Sequence, residues 1–208
     1  MSFLVGAQLA VPFPWRMWDR RPRLSLDSRG RLSYISNSAC LGVKMFQEMR
    51  KKEREVSRPE AEEILAKGMY GVLSLNGGND YAYGVPFSYV YLKNSIYLHC
   101  ALEGKKLTHI RRDNRVSFCV VAGAEPLPDK FSMKYQSAMV FGKIYEVDHD
   151  EEKLQGLIAL VEKYYHGDQE HIERGKEKAA NSLFKTVVLR LDIDHMTGKI
   201  RREKAKNS

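Results

Sequence analysis

Between His99 and Phe118 the chain reads HCALEGKKLTHIRRDNRVSF, which sets a histidine, a glycine and two adjacent lysines between two apolar runs. Gly104 permits a positive φ and close backbone approach, and residues 105–113 have the composition of a short helix. The first amides of a helix have no internal partners and lie at the positive end of its dipole, so they favour an anion. Lys105 and Lys106 add mobile charge at that end, and the arrangement suits the phosphate of a mononucleotide. An ordinary solvated helix start carries the same residues, so spacing alone leaves both alternatives open. His99 likewise either satisfies a backbone carbonyl at a strand end or faces a ligand, where its imidazole would donate a hydrogen bond or relay a proton. The two-residue period of a strand puts Cys100 on the opposite face, a packing position rather than a redox centre.

Other chemistries lack their patterns. His166, His171 and His195 are scattered without HExxH or His-carboxylate spacing, so no metal site is expected. No G-x-S-x-G elbow supports Ser-His-Asp hydrolysis, and no GxGxxG follows a strand, which excludes a Rossmann nicotinamide domain. Cys40, Cys100 and Cys119 form no CxxC and fit reduced structural thiols. The formal charge of +8 is confined to the ends. Residues 1–44 hold seven Lys and Arg against two Asp, and 200–208 hold four against one Glu, which leaves 45–199 neutral. A neutral body with basic tails lacks a phosphate-tracking groove, so no nucleic-acid partner is expected. No run approaches the roughly 18 apolar residues of a membrane span, and the opening MSFLVGAQLAVPFPW has no positive region ahead of it. A cytoplasmic protein without membrane attachment is the expectation.

These residues need a scaffold, and the periodicities describe one. Residues 1–44 show no sustained period and are left without an assigned fold, as a disordered or non-native extension with Met45 as an alternative start. Ser57-Arg58-Pro59-Glu60 has capping-box spacing, and Ala61, Ile64 and Leu65 give the helix 58–67 an apolar face. Strands are expected at 70–75, 81–92, 96–100, 115–122, 135–147 and 186–193, with a turn at NGGND and a loop at GAEPLPDK. Gly142 marks a bulge or bend. Leu154, Leu157, Ile158 and Val161 define an amphipathic helix over 150–165, and a polar helix is expected around 170–180. Short, closely spaced strands with few helices imply an antiparallel barrel with helices packed outside.

The segments MRKKEREV, GVLSL, YGVPFSYVY, IYLHCALEGKKLTHIRRDNRVSFCV, SAMVFGKI and LDIDHMTGK occur in an order that resembles the FMN-binding split-barrel superfamily. The similarity is to its pyridoxamine 5'-phosphate oxidase-like branch, nearest the nitroimidazole-resistance (Nim) proteins, and spans about 45–199. This resemblance implies a mainly β (α+β) fold, a six-stranded antiparallel split β-barrel with flanking helices, in a domain over 45–199 followed by a basic tail at 200–208. It further implies a homodimer with FMN in each of two clefts between subunits. Carried over residue by residue, Lys106 matches the lysine on the FMN phosphate, with Lys105 beside it. Val85, Pro86, Phe87 and Ser88 match the strand along the flavin ring, and His99 matches the Nim-motif histidine near the ring, in a cofactor-binding or catalytic role. Ser137 falls on the strand that supplies a polar side chain to the cofactor. The arginine-containing substrate motif of pyridoxamine phosphate oxidase is not recognisable in HMTGKIRREKAKNS, which argues against oxidation of that substrate. The function expected is an FMN-binding oxidoreductase that reduces small electrophiles such as nitro compounds with electrons from NAD(P)H. The alternative is a non-catalytic dimer that binds or senses FMN or haem.

Overall fold

The computed structural model describes residues 45–78 and 81–202, together with two short strands nearer the amino terminus. The chain divides into two compact units, Met1–Met45 and Phe46–Ser208. In the first, β1 (Leu24–Leu26) and β2 (Leu32–Tyr34) pair as an antiparallel hairpin inside the stretch to which the sequence assigned no fold. The remainder of 1–44, including Cys40, and the tail at 203–208 lie outside the described residues.

The second unit is an antiparallel sheet with four helices around it. Its strands are β3 (Glu55–Val56), β4 (Gly71–Asn76), β5 (Ala82–Phe87), β6 (Val90–Leu92), β7 (Ser95–Cys100), β8 (Arg115–Leu127), β9 (Ser132–Glu146) and β10 (Val187–Arg201). They follow the order β5-β4-β8-β9-β10-β7-β6, with β3 paired to β10, so the path is open and the barrel is split.

This sheet has eight strands where six were expected, and the main reason is local. The aromatic run 81–92 is not one strand, because Ser88 and Tyr89 leave the ladder. Tyr89 is fully buried, its hydroxyl donates to the Leu65 carbonyl at 2.6 Å, and its backbone N–H donates to the Tyr164 hydroxyl at 2.9 Å. With its amide held there, the chain crosses from β5 at one edge of the sheet to β6 at the other. The short β3 adds the second extra strand. GAEPLPDK is not a loop as far as Leu127: β8 runs through it and pairs with β9 down to Leu127 opposite Ser132. β10 likewise continues past Ile193 to Arg201, so the first residues assigned to a basic tail are strand. The irregularity expected at Gly142 sits on the facing strand, where the register between β9 and β10 shifts between Ile193 and His195. Gly142 lets that bulge close in, since a Cβ there would meet the Asp192 carbonyl oxygen at 2.0 Å.

Helix α1 (Arg58–Lys67) starts at the expected capping box, with the Ser57 N–H donating to Glu60 Oε2 at 3.0 Å, and buries Ala61, Ile64 and Leu65. Helices α2 (Lys105–Arg112), α3 (Asp150–Tyr164) and α4 (Gln169–Ala180) complete the unit. The alternation along β7 sends Ile96 and Leu98 into the barrel interior, where they meet Leu73, Phe118, Val140 and Leu191. On the outer face Tyr97 joins a second apolar cluster with Leu157, Leu160, Ala179 and Val188, which fastens α3 and α4 to the sheet. Among the described residues no helix is long and apolar enough to cross a membrane.

Candidate functional site

The lysine pair opens α2, as the composition suggested. Gly104 occupies the cap position at φ +136°, with open space where a side chain would be, and no side chain caps the helix. Lys105 is exposed and Lys106 half-buried, and neither makes an ion pair among the described residues. The helix therefore offers uncapped amides and two cations at one point. Lys106 also ties this point to β5, its Nζ lying 5.9 Å from the centre of the Phe87 ring.

Strand β5 is the edge of the sheet beyond β4, so half of its backbone polar groups have no ladder partner. Val85 packs against the core and Phe87 is buried in it, whereas Pro86 and Ser88 are exposed. A ring laid along this edge would meet free backbone donors and acceptors rather than aromatic faces. Lys105 borders a cavity of about 400 Å³ with Tyr81, Ala82 and Tyr83 from the same edge and Thr108 and His109 from α2. A free strand edge next to a cationic, uncapped helix start matches a flavin mononucleotide in chemistry: donors for the polar ring edge, charge for the phosphate.

His99 lies on the other face of the sheet from Cys100, as the strand period required. It borders a separate cavity of about 710 Å³ between β7 and helices α3 and α4, which neither Lys105 nor Lys106 lines. The imidazole is exposed at the cavity mouth, yet the surrounding protein desolvates it and holds its pKa below the ordinary 6.5, so it is mainly neutral at pH 7. Burial pushes the Cys100 thiol up, against the opposing charge of Lys106, which keeps it protonated. Ser137 stands on β9, paired with Val121 and Lys199, three strands from β5. Within one chain the structure thus joins Lys105, Lys106 and the 85–88 strand, and leaves His99 and Ser137 apart from them.

Sequence reasoning missed the wall opposite His99. Tyr165, His171, Arg174, Lys178 and Lys185 line the larger cavity over a floor of Leu157, Leu160 and Val161. The signal was available, because 171, 174, 175, 178 and 179 recur at helical spacing. No group of three or more metal-ligating side chains occurs among the described residues.

The pyridoxamine 5'-phosphate oxidase family matches residues 57–200. No curated protein matches the chain. Among solved structures, a candidate 5-nitroimidazole antibiotic resistance protein from Bacteroides thetaiotaomicron VPI-5482 aligns at 24% identity and a TM-score of 0.60 over 70% of this chain and 86% of its own. The FAD and heme binding protein from Mycobacterium smegmatis aligns at 18% identity and a TM-score of 0.61, covering 74% of this chain and 77% of its own. The flavocytochrome Anf3 from Azotobacter vinelandii aligns at 16% identity and a TM-score of 0.62, covering 76% and 73%. At these identities the likeness is one of fold.

Proposed function

The chain belongs to the pyridoxamine 5'-phosphate oxidase family, and from that premise we propose that it is an FMN-binding oxidoreductase that passes electrons from NAD(P)H to small electrophiles such as nitro compounds. One observation carries the reading: the uncapped, dicationic start of α2 sits beside the free edge of β5, with Lys106 against Phe87. Lys105 and Lys106 hold the phosphate, and the α2 amides add the helix dipole. The edge of β5 at 85–88 orients the ring through its backbone. A bound flavin would supply the redox chemistry, the transfer of two electrons from a reduced nicotinamide to an acceptor. Reduction of a nitro group to nitroso consumes two electrons and two protons and releases water. The neutral His99 imidazole takes up a proton from solvent and delivers one at the acceptor oxygen.

His99 and Ser137 enter this site only through a second subunit, and a homodimer is part of the proposal. Ser137 and Val121 are cross-strand neighbours on the outward face of the sheet, and Val121 is 52% exposed. Apolar surface of that kind invites cover, and a second copy laid there would bring Ser137 into a cleft between subunits.

Adding FMN to purified protein, desalting and recording the visible spectrum tests the reading. Retained flavin absorption at one FMN per chain is expected, and a colourless protein rejects it. A non-catalytic flavin or haem dimer is the second reading, favoured by the FAD, heme and flavocytochrome proteins that share the fold. Steady-state oxidation of NADH or NADPH with a nitroaromatic acceptor separates the two: turnover supports the oxidoreductase, and flavin-loaded protein without turnover supports the binder.

A further inference from the structure

Helix α4 is seated on the body by few large apolar residues, and its basic residues stand at the rim of a cavity. Helices bury a stripe of large apolar residues, but α4 is seated through Ile172, Gly175, Lys176 and Ala179, while His171, Arg174 and Lys178 stand exposed along the border of that cavity. Gly175 is the contact that brings α4 down onto α3, since a Cβ there would lie 2.5 Å from Val161 Cγ1. Ala179 in the apolar cluster and the Lys176–Glu162 ion pair at 3.3 Å hold the helix there as well, while its basic side chains border a space of about 710 Å³.

The lining of that space is asymmetric in charge. Arg174, Lys178 and Lys185 are on it, and no acidic residue is. Arg174 reaches Glu170 only at 3.7 Å with both side chains mostly in solvent. Lys178 makes no ion pair among the described residues, and Lys185 rests near the Phe184 ring. His171 is fixed by Asp168, whose Oδ2 lies 2.7 Å from Nδ1, and stacks parallel to Tyr165 at 5.8 Å, leaving Nε2 free. Beneath them Leu157, Leu160 and Val161 form an apolar floor.

We propose that this cavity is a binding site for a small anion with an apolar body, its carboxylate or phosphate held by Arg174, Lys178 and Lys185 and its body lying on the α3 floor beside His99. The assignment rests on the proposed oxidoreductase only in calling that ligand the electron acceptor. A cationic rim over an apolar floor discriminates by charge, so an acidic nitroaromatic is selected over a neutral one of the same size.

Three probes of similar size decide it: 4-nitrobenzoate, 4-nitrophenyl phosphate and neutral 4-nitrobenzyl alcohol, titrated into the purified protein while the ring resonances of His99 and His171 are followed by NMR. At least one anion is expected to shift both histidines and to bind tenfold or more tightly than the alcohol. The stronger of the two tells carboxylate from phosphate. The double variant Arg174→Gln, Lys178→Gln is expected to lose that preference with FMN content unchanged. Equal binding of the alcohol, histidines that do not move, or an unchanged preference in the variant each overturn the site. The charge comparison in the wild-type protein stands even where the variant fails to fold. Because binding is read without turnover, a protein that retains no FMN rejects the flavin reading and leaves this test intact.

Discussion

At the scale of single residues, the proposed site assigns separable work to Lys106 and His99. Lys106 has no carboxylate partner among the described residues to satisfy its charge, so its interaction with a phosphate is available in full. Lys106→Ala is expected to weaken FMN binding by about 1–3 kcal/mol, the worth of one charge-assisted contact in a partly exposed cleft. A fluorescence titration of FMN reads this, and unchanged affinity removes Lys106 from the site. His99 binds its proton only below the ordinary 6.5, because desolvation disfavours the charged ring. A proton delivered by it therefore gives a turnover that climbs as pH falls below about 6.5, and His99→Ala is expected to flatten that limb while FMN occupancy holds. The same shift makes the unfolded chain bind more protons over that range, so folding stability falls as pH drops through it. Cys100, one residue on, shows how far the period-two argument reaches: it separated the two faces of β7 from sequence alone, and the packing of Cys100 against the core follows it.

At the scale of elements, the carboxyl-terminal turn of α3 clamps the crossing between β5 and β6. The Tyr164 hydroxyl accepts from the Tyr89 N–H and donates to the Met69 carbonyl at 2.5 Å, and the next residue back, Lys163, lays its ammonium 3.7 Å from the centre of the Tyr89 ring. Tyr164→Phe strands the Tyr89 amide and is expected to cost about 1–3 kcal/mol in denaturant unfolding. Lys163 Nζ is buried without a hydrogen-bond partner, and desolvation lowers its pKa to about 8. Below pH 8 both states carry the charge and the folded state bears its full cost. As pH rises from there to the ordinary 10.5 the cost disappears. The stability gained by Lys163→Met over wild type should therefore be larger at neutral pH than near the ordinary lysine value, and a pH-independent difference contradicts the burial argument. This clamp also explains what the sequence could not show. The α1 capping box was legible because Ser57 and Glu60 are three residues apart, whereas the break in 81–92 is made by a hydroxyl 75 residues from Tyr89. The strand length of β8 was hidden for the opposite reason, since Gly123 and Pro126 signal a loop and only pairing with β9 overrides them. The α4 stripe was visible as spacing but had no meaning until the fold set it over His99.

At the scale of the whole molecule, the open sheet leaves two kinds of surface incomplete. The edge of β5 has unpaired backbone, and the outward face of β8 and β9 leaves Val121 and Met133 uncovered, with Phe131 almost fully exposed at the tip of their hairpin. Phe131 holds φ +43°, a conformation unfavourable for a bulky side chain, in a turn that carries the long strands past the body of the barrel. An arm built of paired strands yet buried on neither side gains little stability within one chain, because its exposed residues forgo the burial that would offset their ordering. In the proposed homodimer a second copy packed on this face would recover that burial and set Ser137 beside the lysines of the partner subunit, which would couple dimerisation to cofactor binding. Val121→Glu is expected to shift the protein from dimer to monomer in light scattering at micromolar concentration and to lower FMN retention with it, although Val121 itself touches no proposed flavin contact within its own chain. A variant that becomes monomeric and still holds FMN at wild-type affinity would locate the whole flavin site within one subunit, leaving Ser137 outside it.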